Sequence, residues 1–452
     1  MSKFLTGKVI MPLADLRRSL RRDMRPVFNN YKKSLDFRRK TVNWNEEQKR
    51  EWILKTLHFT VRRAAEETNY YREQFQKIGF DANSDFSFED YAKLPVLERE
   101  DIQNAGEGLI SKTVSRENLQ KDATGGSTGT PTQIWLGAEE LGWKEGGLEY
   151  TFDLVGVPRD SKMAFFWGHH LDPQTTDSFR DRLKGFLTNI RWFDCFRLSP
   201  EVFQKYHAEF EEWSPDCIVA YSSALGHFAE YLKEKGIRPK NYPQKCFVTG
   251  AEKLFPEHRK IIEEVFGKPV HERYGGRDFG LLGIQTNPWE NLEYTIDWAW
   301  ALVEPETNEE SSPILITKLH ADGMPMLRYR IGDIGRFPAT SKSGHPVFRL
   351  KEVVGRELDR IWLPDGRFVS GIKLPHLLKD FPIKDYMLIQ SENYDIELQI
   401  VSKKDFNLED ESKISRILSA NFEGLSVIIK RVEKIPRTKA NKWRPVVTKV
   451  KR

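Results

Sequence analysis

Apolar positions recur at helical spacing through Trp52, Ile53, Leu57, Val61, Ala64 and Ala65, so residues 46–80 read as helix, with Gly79 near the stop. After the segment Leu94-Pro95-Val96-Leu97-Glu98, a second helical start stands at Arg99-Glu100-Asp101. From Lys162 the pattern changes. Lys162–Trp167, Cys217–Tyr221, Lys245–Thr249 and Pro269–Tyr274 are short, mostly apolar runs of strand length. The segments Glu201–Trp213, Ala224–Lys235 and Pro256–Phe266 are amphipathic and helical, and Gly236 and Gly267 follow the last two. Such short apolar runs separated by helices predict βαβ units around a buried parallel sheet. After Trp298 the character is mainly strand, through Ile314–Leu319, Met326–Tyr329 and Pro346–Leu350.

At 452 residues the chain exceeds what one core usually supports, so more than one domain is expected. A boundary near Gly355–Arg360 divides a large domain, residues 46–355, from a small one, residues 356–452, and residues 1–45 form a basic N-terminal arm. The expected class is α/β: a large N-terminal domain of mixed, largely parallel sheets with flanking helices, plus a small α+β C-terminal domain. There is no internal repeat and no low-complexity tract.

Charge and cysteines narrow the function classes. A net charge of +5 is small for this length, and no aromatic-plus-basic recognition module accompanies it, so nucleic acid is not an expected partner. Cys195, Cys217 and Cys246 fit no metal spacing or disulfide framework. Cys217 and Cys246 lie inside apolar runs, where cysteine acts as a small hydrophobe, and a reducing cytoplasm fits. No segment reaches the roughly 20 apolar residues that span a bilayer. Near the start, the apolar stretch Val9–Leu16 precedes Arg17, Arg18, Arg21, Arg22 and Arg25, the reverse of a secretory signal. A solvated helical arm is expected there, with peripheral contact to anionic lipid or a membrane-bound partner left open.

Several segments have chemical character. Thr124, Gly125, Gly126, Ser127, Thr128 and Gly129 form a loop whose glycines let backbone N–H groups approach an anion and whose hydroxyls add donors. It is either a phosphate cradle or a plain flexible loop. It is not a Walker loop, because Thr130 follows Gly129 where lysine is required. Gly250-Ala251-Glu252 and Tyr274-Gly275-Gly276-Arg277-Asp278 each end a predicted strand. Tyr329-Arg330-Ile331-Gly332-Asp333 also follows one, where an aspartate commonly caps a turn. Further on come Gly355-Arg356-Glu357-Leu358-Asp359-Arg360, the hairpin signal Pro364-Asp365-Gly366, and a basic stretch from Pro436 to Pro445.

Taken together and in order, these segments resemble the adenylate-forming superfamily of acyl-CoA ligases, from residue 50 to residue 450. The nearest branch is phenylacetate–CoA ligase and the capsule-biosynthesis adenylate ligases grouped with it. The resemblance implies that Thr124–Gly129 hold phosphates, that Gly250, Ala251 and Glu252 lie near adenine, and that Tyr274 stacks on it beside Gly275, Gly276 and Arg277. Asp278 would help hold Mg²⁺, although the family has glutamate there and threonine at Arg277. Asp333 would bind the ribose hydroxyls and Arg356 the nucleotide, while Asp359 and Arg360 form the hinge of a mobile small domain. Lys442, with Lys439 as runner-up, matches the family's catalytic lysine, and Asn441 stands where the family has glycine.

The implied activity is ATP- and Mg²⁺-dependent conversion of a small carboxylic acid to an acyl-adenylate, followed by transfer to coenzyme A or an amine. Trp167, His169 and His170 lie where the family keeps its acid pocket, although a core strand ending in a surface turn accounts equally well for them. Two other readings compete: a nucleotide-binding relative without catalysis, and a kinase or hydrolase. The latter would need a Walker loop or a kinase motif set, and neither is present.

Overall fold

The computed structural model describes residues 25–123, 132–167, 189–195, 198–356, 360–365, 368–370, 373–378, 381–422, 425–436 and 445–450. Its helical N-terminal part comprises α1 (Arg25–Lys40), α2 (Glu46–Glu67) and α3 (Asn69–Ile78). The expected single helix over 46–80 is broken at Thr68, which ends α2 and begins α3 by accepting the Tyr71 N–H on its hydroxyl at 3.3 Å. A threonine whose oxygen satisfies an orphan N–H is a better start than a mid-helix residue.

An eight-stranded sheet forms the centre. It contains β3 (Met163–Trp167), β4 (Ile190–Asp194), β5 (Cys217–Tyr221), β6 (Cys246–Gly250), β7 (Val270–Gly276), β8 (Gly280–Asn287), β9 (Asn291–Ile296) and β13 (Arg349–Leu350). The order is β13-β9-β8-β7-β6-β5-β3-β4. Parallel pairing runs through β4-β3-β5-β6-β7, and the remaining strands are antiparallel. Along β5, Ile218 and Ala220 enter one apolar layer with Phe166, Phe228 and Phe247. The alternate residues Cys217 and Val219 enter another with Cys246 and Val248. Both faces are covered, which is why these strands read as unbroken apolar runs.

A second, antiparallel sheet contains β10 (Ala301–Pro305), β11 (Ser311–Lys318), β12 (Tyr329–Arg336) and β14 (Glu352–Arg356). Asp333 therefore lies within a strand, not in a turn after one. In the C-terminal part, β15 (Ile383–Gln390), β16 (Ile396–Ser402), β17 (Val427–Arg431) and β18 (Val446–Thr448) form a sheet beside the helix Leu408–Asn421. An apolar cluster of their own includes Ile361, Leu388, Leu398, Ile414 and Val446.

The N-terminal segment departs from the sequence expectation. Residues 26–40 are not a solvated arm: Val27, Phe28, Tyr31 and Leu35 are buried. Helix α1 lies against α4 (Ala138–Leu154), where Gly142 and Gly146 allow close approach. A Cβ at Gly142 would stand 2.6 Å from the Tyr31 nitrogen, and one at Gly146 would stand 3.0 Å from the Tyr31 carbonyl. Two basic residues of α1 pair within the chain, Arg38 with Asp297 at 2.8 Å and Arg39 with Asp153 at 2.6 Å. Arg17, Arg18, Arg21 and Arg22, on which any lipid contact would rest, lie outside the described residues. No described helix is long and apolar enough to cross a membrane.

Candidate active site

Because β3, β5, β6 and β7 are parallel, their C-terminal ends open on one edge of the sheet. Open parallel sheets hold their ligands at that edge. The strand ends bring together Trp167 from β3, Tyr221 from β5, Gly250-Ala251-Glu252 from β6, and Tyr274 through Asp278 from β7. Ala251 has φ +67°, a left-handed backbone that a residue with a Cβ adopts at a cost of about 1–2 kcal/mol. Such strain persists where the surroundings fix the chain, commonly at a ligand turn.

The two aspartate motifs, far apart in sequence, are joined by reciprocal hydrogen bonds. Tyr274 Oη donates to Asp333 Oδ2 at 2.7 Å, and Tyr329 Oη donates to Asp278 Oδ2 at 3.2 Å. Each tyrosine thus orients the carboxylate of the other motif. Burial first, and then the Asp278 charge, pushes the Tyr329 hydroxyl well above its usual range, so it remains a donor. On β14, Arg356 is the register partner of Asp333, which brings the backbones of two expected nucleotide residues side by side.

Other contacts hold this geometry. Glu252 accepts from Ser223, at 3.2 Å from its N–H and 2.6 Å from its hydroxyl, and so organises the start of the helix Ser222–Glu234. Arg330 is bound to Glu98 at 2.8 Å and to Glu306. This fastens the Leu94–Leu97 segment to β12, where Leu97 and Tyr329 form a parallel bridge. In this structure Arg330 thus positions the motif.

Sequence reasoning missed three contributors. Lys144, on α4, donates to the Arg277 carbonyl at 3.1 Å, and burial lowers its pKa. Lys253 joins the Gly-Ala-Glu turn to β14 through Glu352 at 2.8 Å. Tyr221 places its ring 4.4 Å from that of Trp167. Neither lysine differs in sequence from a surface lysine. Helix α4 itself was obscured because Gly142, Gly146 and Gly147 interrupt its apolar pattern.

Thr124–Gly129, His169, His170, Asp359, Lys439 and Lys442 lie outside the described residues, as do the side chains of Arg356 and Arg360. The strands flanking the loop, β1 (Gln120–Ala123) and β2 (Gln133–Leu136), pair antiparallel, with Ala123 opposite Gln133. Among the described residues no cluster of three or more His, Cys, Asp or Glu side chains forms a metal cage. A magnesium ion carried in by a nucleotide needs only one or two carboxylates besides phosphate and water. Asp278, half-buried and oriented by Tyr329, fits that requirement.

The chain is similar in sequence and fold to known proteins. The family described as the CapK C-terminal domain matches residues 361–449. Phenylacetate–coenzyme A ligase of Pseudomonas putida is 23% identical over 367 residues, covering 77% of this chain and 78% of that protein. Protein CapK of Staphylococcus aureus is 23% identical over 374 residues, covering 79% and 80%. Among solved structures, 2-hydroxyisobutyryl-CoA ligase in the postadenylation state with R3-HIB-AMP superposes with a TM-score of 0.64 at 15% identity, covering 90% of each chain. That likeness is one of fold.

Proposed function

We propose that the chain is a member of the adenylate-forming superfamily, on the branch of phenylacetate–CoA ligase and CapK, and that its crevice activates a carboxylic acid with ATP. A carboxylate oxygen attacks the α-phosphorus, the bond to the β,γ-phosphates breaks, and pyrophosphate leaves with that electron pair. A thiol sulfur or an amine nitrogen then attacks the acyl carbon and gives up its proton, while the acyl–phosphate oxygen bond breaks and AMP leaves with that electron pair. The acyl acceptor in this reading is coenzyme A, as the name of the phenylacetate–coenzyme A ligase relative says of that protein, or an amine.

The observation that carries this reading is the pair of crossed tyrosine–aspartate bonds, 2.7 Å and 3.2 Å long. They fix two carboxylates at one crevice in advance of a ligand, and such prior orientation is what transfer between two bound substrates requires. Asp333 binds the ribose hydroxyls, with its orientation set by Tyr274. Asp278, with nucleotide phosphates, would hold Mg²⁺, which would supply positive charge to offset that of the phosphates. Gly250, Ala251 and Tyr274 border the adenine, and the loop Thr124–Gly129 holds phosphate through its N–H groups. Lys442 neutralises charge between the attacking carboxylate and the α-phosphate, brought in by a small domain that turns at Asp359–Arg360. Trp167, with His169 and His170, lines the acid side.

The catalytically silent reading is not favoured. Product analysis tests the proposal. With ATP, Mg²⁺ and a carboxylic acid, AMP and pyrophosphate are expected; ADP would overturn it. Lys442→Ala is expected to abolish adenylate formation while ATP still binds, and unimpaired adenylation would move the assignment to Lys439.

A further inference from the structure

Arg273 precedes Tyr274 on β7 and projects from the opposite face of the strand. Its guanidinium carbon lies 5.0 Å from the centroid of the Trp167 ring, and the Trp167 and Tyr221 rings are 4.4 Å apart. The side chain passes over Gly250: a Cβ there would stand 2.9 Å from Arg273 Cγ and 3.0 Å from Nε. The glycine in the Gly-Ala-Glu turn therefore makes room for this arginine.

Elsewhere in the large domain, buried and half-buried arginines meet carboxylates. Arg38 has Asp297 at 2.8 Å, Arg328 has Glu304 at 3.2 Å, and Arg330 has Glu98 at 2.8 Å. Among the described residues, no carboxylate pairs with Arg273. The acidic side chains of the same strand ends are held elsewhere, Glu252 by Ser223 and Glu272 by the Leu254 N–H at 2.7 Å. Burial lowers the Arg273 pKa to about 10, so it remains a cation at neutral pH. An aromatic face recovers part of the cost of burying a guanidinium, and an oxyanion recovers more. Arg277 lies exposed at the rim of the same crevice and adds a second positive charge.

We propose that Arg273 is a specificity-determining residue of the acid pocket, and that the acid activated here carries a second oxyanion, carboxylate or phosphate, which the guanidinium receives against the Trp167 and Tyr221 rings. The inference rests on the acid-activating reading of the crevice and adds the charge class of the acid.

The test uses matched acids that differ in the second anion: glutarate against pentanoate, homophthalate against phenylacetate, and 3-phosphoglycerate against glycerate. The full-length wild type, Arg273→Met and Arg273→Lys are compared by acid-dependent pyrophosphate exchange, and by thermal stabilisation of the AMP-bound protein by each acid. In at least one pair the wild type is expected to favour the doubly charged acid about a hundredfold in kcat/KM, the scale of one buried charge-assisted contact. Arg273→Met should erase that preference, mainly through KM, and Arg273→Lys should restore part of it. The pair that responds distinguishes carboxylate from phosphate.

Wild-type preference for the singly charged acids, or a preference for the doubly charged acid that survives in Arg273→Met, would overturn the inference and leave adenylation standing. Selective stabilisation by a doubly charged acid, lost in Arg273→Met and without exchange, would retain the anion site and count against adenylation. Absence of selectivity in both measurements across all three pairs would overturn the inference.

Discussion

Strands β7 and β12 both carry arginines beside a tyrosine of the site, but they use them differently. On β12, Arg330 is bound by Glu98 and Glu306, and Arg328, just before the strand, is bound by Glu304. On β7, Arg273 rests against the Trp167 ring with no described carboxylate partner. The difference follows from position. Strand β12 lies inside an antiparallel sheet, between β11 and β14, and an interior cation there must be neutralised by the chain itself. Strand β7 is the last parallel strand before the sheet turns antiparallel, and its C-terminal end opens on a crevice where a ligand can supply the counter-charge.

The strongest way to break this comparison is through stability. Arg328→Met leaves Glu304 buried without its partner and should lower unfolding free energy by about 3–5 kcal/mol, whereas Arg273→Met should change it by less than about 1 kcal/mol in the absence of ligand. Urea unfolding of both variants decides the matter; equal losses would make Arg273 a structural cation. Next in size, Asp333→Ala should weaken ATP binding about thirtyfold, or about 2 kcal/mol, by removing a carboxylate acceptor for the ribose. Calorimetric titration measures it, and unchanged affinity would remove the ribose assignment. The smallest effect sharpens the crossed-bond geometry. Tyr274→Phe keeps the ring and deletes the hydroxyl that holds Asp333, so ATP affinity should fall about threefold to fivefold. Tyr329→Phe should leave ATP affinity in place and instead raise the Mg²⁺ concentration needed for half-maximal rate.

The parallel half of the sheet was legible because strands covered on both faces, such as Cys217–Tyr221 and Cys246–Gly250, are buried throughout and almost wholly apolar. The Tyr274–Asp278 and Tyr329–Asp333 motifs were legible as segments. Their crossed bonds were not, because such pairing depends on how the two sheets meet. Helix α4 was obscured by the glycines that let α1 approach, and Arg38 and Arg39 look solvated until Asp297 and Asp153 are seen opposite them. Arg273 gave no signal of its own: one arginine in an alternating strand reads as a residue facing water. Gly250 reads as a turn residue, and its role as clearance for Arg273 emerges from packing across β6 and β7.

The most direct test of the central claim is exchange of labelled pyrophosphate into ATP, with Mg²⁺, no acceptor, and a panel of aryl, fatty, amino and uronic acids. Reversible adenylation predicts exchange that requires one acid class and falls in Asp333→Ala. ATP binding without exchange for any acid, or exchange that proceeds without acid, would contradict it.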